Sequence, residues 1–251
     1  MGRATKSDEP GLQDYLDRIH RAENFDDIWA LLNRFRAHKG FTSLTYMHIP
    51  PLGALDQEKP LIASEGFAQD WVAHFIENDY ISISPVMEYA RTAITPFCWS
   101  EIMNEDLRDT TTSPEIRKYV TNYLAYNVGD GLAFPLYGPM GRRALCSVGL
   151  PEIKMAIPAV LRQELQIIFQ GAHLRYCDII LQSQSKQADL SPREVEILSW
   201  VARGKSNSVI ANILEVSTHT IDTHMRRIYA KLNVTDRVAA AIYGVGAGIL
   251  K

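Results

Sequence analysis

Leu190-Ser-Pro-Arg-Glu-Val-Glu-Ile-Leu198, then Gly204-Lys-Ser206, then Val216-Ser-Thr-His-Thr-Ile-Asp-Thr-His-Met-Arg-Arg227 together decide how this chain ends. Ser191 stands at an N-cap, Pro192 at the first helical position and Glu194 three residues after the cap, which is the pattern of a capping box. Val195, Leu198, Val201 and Ala202 supply the buried stripe of that helix, and Gly204 stops it. Ser206 caps a second short helix, Asn207 to Leu214, with Val209, Ile210, Ile213 and Leu214 inward. The tight connection Glu215-Val-Ser217 leads to a third helix running to about Leu232. Two short helices, a turn of three or four residues and a further helix make a helix-turn-helix.

The third helix is tested by geometry. At 100° per residue Ile221, Met225, Ile228 and Leu232 fall within one narrow sector, the buried seam. The opposite face gathers His219, Thr223, Arg226, Arg227 and Ala230, with Thr220 and Lys231 at one edge. Guanidinium groups, hydroxyls and a small residue on one exposed face suit the major groove, where Arg forks to guanine. Thr220 and Lys231 suit phosphate contacts that fix register. An exposed helix face with two Arg is commonly just solvated; the complete array of cap, stop, turn and seam argues for a groove-reading helix.

Working outward, Gln182-Ser-Gln-Ser-Lys-Gln-Ala-Asp189 is polar, lacks apolar periodicity and reads as a linker. It divides a front region, 11–181, from the helix-turn-helix region, 190–251. The charge division agrees: from Ala188 onward the chain has 8 Lys and Arg against 6 Asp and Glu, a surplus of +2, which leaves −5 on residues 1–187 of the −3 total. In the front region Ile28, Leu31, Leu32 and Phe35 fall at helical spacing, with Gly40 as the stop. Phe41 to Ile49 reads as a strand. Gly131-Leu-Ala-Phe-Pro-Leu136 and Ala144-Leu-Cys-Ser-Val-Gly-Leu150 read as two strands joined by a hairpin-like turn through Gly138, Pro139 and Gly141. Apolar residues then return at threes and fours from Pro158 to about Leu181, a long amphipathic helix. Helices flanking an antiparallel sheet make an α/β/α sandwich of the α+β class, followed by an all-α four-helix domain.

The 251 residues are 46% hydrophobic and 22% charged, ordinary globular values that exclude a fibrous or disordered chain. No apolar run nears the ~20 residues that span a bilayer, and residues 1–10 form a polar tail without a secretion signal's apolar middle. Cys98, Cys146 and Cys177 sit among apolar neighbours, as reduced thiols of a cytoplasmic protein do. His219 and His224 have no further His or Cys at ligand spacing, so no metal site is expected. A Gly-x-Ser-x-Gly elbow, a His-Glu-x-x-His pair and a Cys/His nucleophile arrangement are all missing, which argues against an enzyme. A lactone-cleaving enzyme is the competing class, and the helix-turn-helix weighs against it.

The final segment, with Ile210-Ala211, His224, Ile228 and Lys231-Leu-Asn-Val-Thr-Asp-Arg237, resembles the LuxR-type helix-turn-helix over essentially all of 189–250. Glu194, Leu198 and Gly204 match that family's signature Glu, Leu and Gly. The resemblance implies binding to double-stranded DNA, with base reading by Asp222, Thr223 and Arg226 beside Arg227. Asp222 departs from the pattern, since Lys or Arg is usual there. A carboxylate near the DNA backbone is repelled unless a cytosine amino group donates to it.

The front region, through Glu65-Gly-Phe-Ala-Gln-Asp-Trp-Val-Ala-His-Phe75, Asp79-Tyr80, Ser84-Pro-Val86, Pro96-Phe-Cys-Trp99 and Gly131-Leu-Ala-Phe-Pro135, resembles the autoinducer-binding domain of LuxR-type quorum-sensing regulators over about residues 25–180. The resemblance implies an acyl-homoserine lactone held between the sheet and one helix layer, and no other cofactor. Trp71 would donate to the lactone carbonyl, Trp99 would wall the ring and Ser147 would face the amide. Ser84 replaces the usual Asp acceptor of the ligand's amide N–H, which forgoes a bond worth about 1.5–3 kcal/mol. Phe67 and Phe75 replace two common Tyr. On residue type alone, Trp and Phe at such spacings are more often core than ligand contacts. Gly131 and Pro85 are expected to be backbone devices. A homodimer through the long helix is implied, with Leu165 and Ile168 at its seam, and RNA polymerase as a further partner. An orphan regulator, acting without a ligand, with a non-lactone ligand or by heterodimerisation, is the alternative.

Overall fold

The computed structural model describes residues 10–54, 56, 61–109, 112–152, 157–187 and 189–250. It divides into two compact units, one of residues 1–48, 61–137 and 143–176, the other of 49–60, 138–142 and 177–251. Part of the polar tail, residues 1–9, lies outside the described residues.

The first unit is built on a five-stranded antiparallel sheet in the order β2-β1-β5-β4-β3, with β1 Leu44–Ile49, β2 Ile62–Glu65, β3 Phe97–Cys98, β4 Gly131–Tyr137 and β5 Arg143–Gly149. The long central hairpin pairs Gly131 with Gly149 through Tyr137 with Arg143. Alternation along the strands sends side chains to two different layers. On one face Phe134 meets Phe169 edge-on at 5.2 Å, and Tyr46 shares a 2.8 Å hydrogen bond with His173. That face packs on α1 Leu12–Arg21, α2 Phe25–His38 and α8 Ala159–Gln187. Asn24 caps α2 by accepting from the Asp27 N–H, and Gly40 at φ +76° takes the chain off its end.

The other face carries Ala133 and Leu145 into an aromatic cluster covered by α3 Gln69–Glu77, α4 Tyr80–Ile83, α5 Pro85–Ala90, α6 Trp99–Arg108 and α7 Pro114–Ala125. The expected α/β/α sandwich is therefore present. Two expectations are corrected. Residues 182–187 do not form a linker; α8 continues through them, supported by Gln182 donating to Asp178 and Ser183 to the Ile180 carbonyl. No Gly or Pro interrupts the stretch, and polarity alone does not end a helix. Leu165 and Ile168 are fully buried inside their own unit and offer nothing to a dimer seam. The exposed apolar positions of α8 are Val160, Ile167 and Leu174, at 69%, 45% and 47% exposure.

The second unit holds α9 Pro192–Ala202, α10 Asn207–Ile213, α11 Thr218–Leu232 and α12 Arg237–Gly246. Ser191, Ser206, Ser217 and Asp236 each cap the helix that follows, and the Ser191–Glu194 capping box is complete in both directions. Ile221, Met225, Ile228 and Leu232 are buried as the seam requires. Two inward faces differ from expectation. On α9 Ile197 is buried and Val195 only half-buried; on α10 Val209 and Ile213 are exposed, while Ile210 and Ala211 fill the core. The seven residues of α10 are too few for a moment to settle its rotation, which neighbouring helices set instead.

Buried Glu194 accepts from the Ser191 N–H at 2.8 Å and from the Lys231 ammonium at 2.8 Å, so one carboxylate both caps α9 and ties it to α11. Burial pushes its carboxyl up, but Lys231 and Ser191 more than offset this and hold it below the usual range. A depressed folded-state value means that the stabilisation is present above the unfolded pKa and is lost as pH falls through the folded one. Glu194→Gln is expected to cost roughly 1–3 kcal/mol in urea denaturation. It is also expected to flatten the acid limb of the stability profile.

Candidate ligand cavity and DNA-facing helix

The aromatic layer of the first unit is not solid. It holds a partly open cavity of about 350 Å³, within the range of roughly 300–1,000 Å³ usual for ligand sites. Trp71, Ser84, Trp99, Phe67, Phe75 and Ser147 all line it, so the six ligand residues expected from the sequence come together at one place.

Each is set there by local structure. Trp71 lies on the inner face of α3, with the rings of Phe75, Tyr123 and Tyr126 at 5.8, 5.7 and 5.6 Å. Ser84 is buried at the junction of α4 and α5, where Pro85 occupies the first helical position. Its hydroxyl donates to the Tyr119 oxygen at 3.3 Å. Trp99 begins α6 beside the sheet, with Phe67 6.2 Å away and tilted by 30°. Gly131 makes room for it: a Cβ there would come within 2.5 Å of the indole. Gly131 thus serves a close approach to a ring, beyond the strand entry expected for it. Ser147, on β5, is buried beside Leu145 on the cavity side.

Three residues that sequence reading missed complete the site. Asp130 accepts from the Ser100 N–H, the Ser100 hydroxyl and the Gly131 N–H at 3.0, 2.7 and 2.8 Å, and so fixes the first turn of α6 against β4. Tyr119 and Tyr123 lie on α7 and both reach the cavity. Their i,i+4 spacing after the Ser113-Pro114 start was the available signal. Burial pushes the Tyr119 hydroxyl up to about 12, the Ser84 bond opposing it and Tyr80 adding to it. Burial raises Tyr123 further, and its hydroxyl donates to the Gly129 carbonyl at 2.6 Å. Both are protonated donors at neutral pH. His74 ties the layer together, its ring stacked on Tyr126 at 5.0 Å and bonded to Asn122 of α7.

On α11 Arg226 and Arg227 are exposed, while Thr220 and Thr223 are half-buried. Thr223 donates to the His219 carbonyl, and Thr220 shares a 2.8 Å hydroxyl contact with the cap Ser217. The two charged residues Lys231 and Asp222, also expected at the DNA, are engaged within the protein as well. Lys231 is paired with Glu194, as described above. Asp222 accepts from the Asn207 amide at 2.7 Å, and the Asn207 oxygen accepts from Arg237 at 2.9 Å. Arg237 also donates to the Lys205 carbonyl. The carboxylate therefore links α11 to the start of α10 and, through Asn207, to the start of α12. Among the described residues no three His, Cys, Asp or Glu side chains gather at metal-binding spacing, and no helix is long and apolar enough to cross a membrane.

Residues 24–176 match the family model described as autoinducer binding domain, and residues 188–244 match that of bacterial regulatory proteins, luxR family. The chain belongs to the LuxR family. Among LuxR-family relatives, the quorum sensing-dependent transcriptional regulator RpaR of Rhodopseudomonas palustris is 26% identical over 242 residues, 95% of this chain and 94% of that protein. The transcriptional activator AhyR of Aeromonas hydrophila is 24% identical over 244 residues, covering 95% and 92%. The crystal structure of Escherichia coli SdiA superposes with a TM-score of 0.71 at 19% identity, covering 96% of this chain and 98% of that one. SdiA in complex with octanoyl-rac-glycerol also superposes at 0.71, with 18% identity and coverage of 95% and 94%. As a LuxR-family protein this chain is a transcriptional regulator with an autoinducer-binding domain and a DNA-binding helix-turn-helix.

The Asp222 bond has a consequence for its variants. Asp222→Ala leaves the Asn207 amide without its acceptor, loosens the Asn207 oxygen that receives Arg237, and is expected to cost about 1–2 kcal/mol of stability. Operator affinity is expected to fall alike for all sequences, without a change in base preference, as an electrophoretic binding series on single-base operator variants would show.

Proposed function

We propose that this regulator takes an acyl signal molecule, of the acyl-homoserine lactone class or closely related to it, into the cavity of its first unit. The molecule's presence then governs operator binding by a homodimer in the cytoplasm. The observation that carries the reading is the cavity itself: apolar walls, a volume suited to an acyl compound, and few polar groups. In this reading the Trp71 indole donates to the head-group carbonyl, Trp99 walls it, and Ser147 and Ser84 face its polar centre. Phe67 and Phe75 cover the chain. The quorum-sensing relatives support an acyl-lactone ligand, and the octanoyl-glycerol complex of SdiA supports an acyl chain more broadly.

Val160, Ile167 and Leu174 recur at seven-residue intervals along α8, an exposed apolar stripe suited to a second copy of the same helix. Two helix-turn-helix units so joined would read a two-fold operator with half-sites about one turn apart. Arg226 would fork to a base, with Arg227, Thr220 and Thr223 around it.

Ligand binding stabilises the folded state by about 2.7 kcal/mol at a hundredfold excess over Kd. An acyl-homoserine lactone panel is therefore expected to raise the melting temperature by several degrees. Trp71→Phe removes one donor and is expected to weaken that ligand about three- to tenfold. No shift with any lactone would favour an orphan regulator. Arg226→Ala is expected to cost about 1–3 kcal/mol against the preferred base pair with the fold intact. Ile167→Glu is expected to yield monomers in sedimentation and to abolish operator binding.

A further inference from the structure

Side chains lining the cavity include no Asp, Glu, Lys, Arg or His, and no Asn or Gln. A charged ligand would therefore bury its charge unpaired, which is heavily penalised. The uncharged polar groups divide unevenly between those already used and those left over. The Tyr123 hydroxyl is spent on the Gly129 carbonyl, and the Tyr46 hydroxyl on His173. The Ser84 proton goes to the Tyr119 oxygen, which turns the Tyr119 O–H toward another acceptor. Among the described residues neither the Trp71 indole N–H nor the Ser147 hydroxyl has a hydrogen-bond partner in the protein, and both face the cavity. Six donors of the lining side chains are thus left over among the described residues: the Trp71 and Trp99 indoles and the Thr45, Ser64, Tyr119 and Ser147 hydroxyls. Side-chain acceptors are hydroxyl oxygens only, one of them already receiving a proton.

We propose that the cavity selects an uncharged acyl compound whose head group offers oxygen acceptors and no N–H, an O-acyl ester or a ketone, over the N-acyl compound of the same chain length. This rests on the reading of the cavity as an acyl-ligand site. A carbonyl meets donors that have no other use. An amide N–H, once removed from water, meets only neutral hydroxyl oxygens among the lining side chains and no carboxylate, and a buried donor paired with a weaker acceptor binds less well.

Octanoyl probes on the full chain test this, with Kd read from calorimetry: 1-octanoyl glycerol, N-octanoyl homoserine lactone, octanoate and octylamine. The ester is expected to bind about threefold or more tighter than the amide, and the two ions at least about tenfold weaker than the ester. Ser84→Asp sets a carboxylate acceptor in the wall and is expected to reverse the order of ester and amide. Tyr119→Phe removes a donor without adding charge and is expected to weaken the ester about three- to tenfold, which keeps the test open where Ser84→Asp does not fold. An amide that equals or exceeds the ester in the parent overturns this inference alone, as does Tyr119→Phe with unchanged ester affinity. Failure of all four probes to bind overturns the acyl-ligand reading and this inference with it.

Discussion

The Asp130 carboxylate, buried and accepting three hydrogen bonds from Ser100 and Gly131, is the fixed point of the first unit. Protein interiors close-pack, and a void the size of this cavity persists only where its walls cannot relax into it. Asp130 holds the first turn of α6 to the start of β4, and so holds Trp99 flat over Gly131. From the opposite side His74, Asn122 and Tyr80 tie α3 and α4 to α7. The rings between these anchors, such as Trp71 with Phe75 and Tyr123 and Tyr80 with Tyr119, meet edge-on. These anchors hold the walls apart, and the space between them makes a small-molecule site possible.

The second unit follows a different economy. Its helices are short, so their ends count for more than their interiors. Ser191, Ser206, Ser217 and Asp236 satisfy the orphan N–H groups, and two ionic side chains bind the helices to one another. Glu194 joins α9 to α11 through Lys231. Asp222 joins α11 to α10 and, through Asn207, to Arg237 of α12. These charges fix the pose of α11 and leave Arg226 and Arg227 outward. A regulator needs that division of labour, because base reading demands a helix that does not rock in the groove.

Much of this was legible in the sequence. Capping boxes, glycine stops and a seam at threes and fours are local signals, and α9, α11 and the β4–β5 hairpin follow from them. The six expected ligand residues meet because the family resemblance fixed their spacing. What was missed depends on partners distant in sequence. Asp130 is an ordinary acidic residue until Ser100 lies beside it. Tyr119 and Tyr123 are two aromatics on an amphipathic helix until the cavity opens against them. Lys231 and Asp222 sit on the exposed side of a helical wheel, and a wheel cannot see Glu194 or Asn207. Residues 182–187 looked like a linker since polar residues populate linkers and helix ends alike.

The central claim is that the cavity is a binding site whose contents stiffen the layer around it. Hydrogen exchange of the full chain, with and without a saturating octanoyl ester or lactone, measures this most directly. The expected result is slower exchange of amides in α3, α5, α6 and α7, with little change in α9 to α12. Unchanged exchange throughout α3 and α7 with every acyl compound would contradict the account.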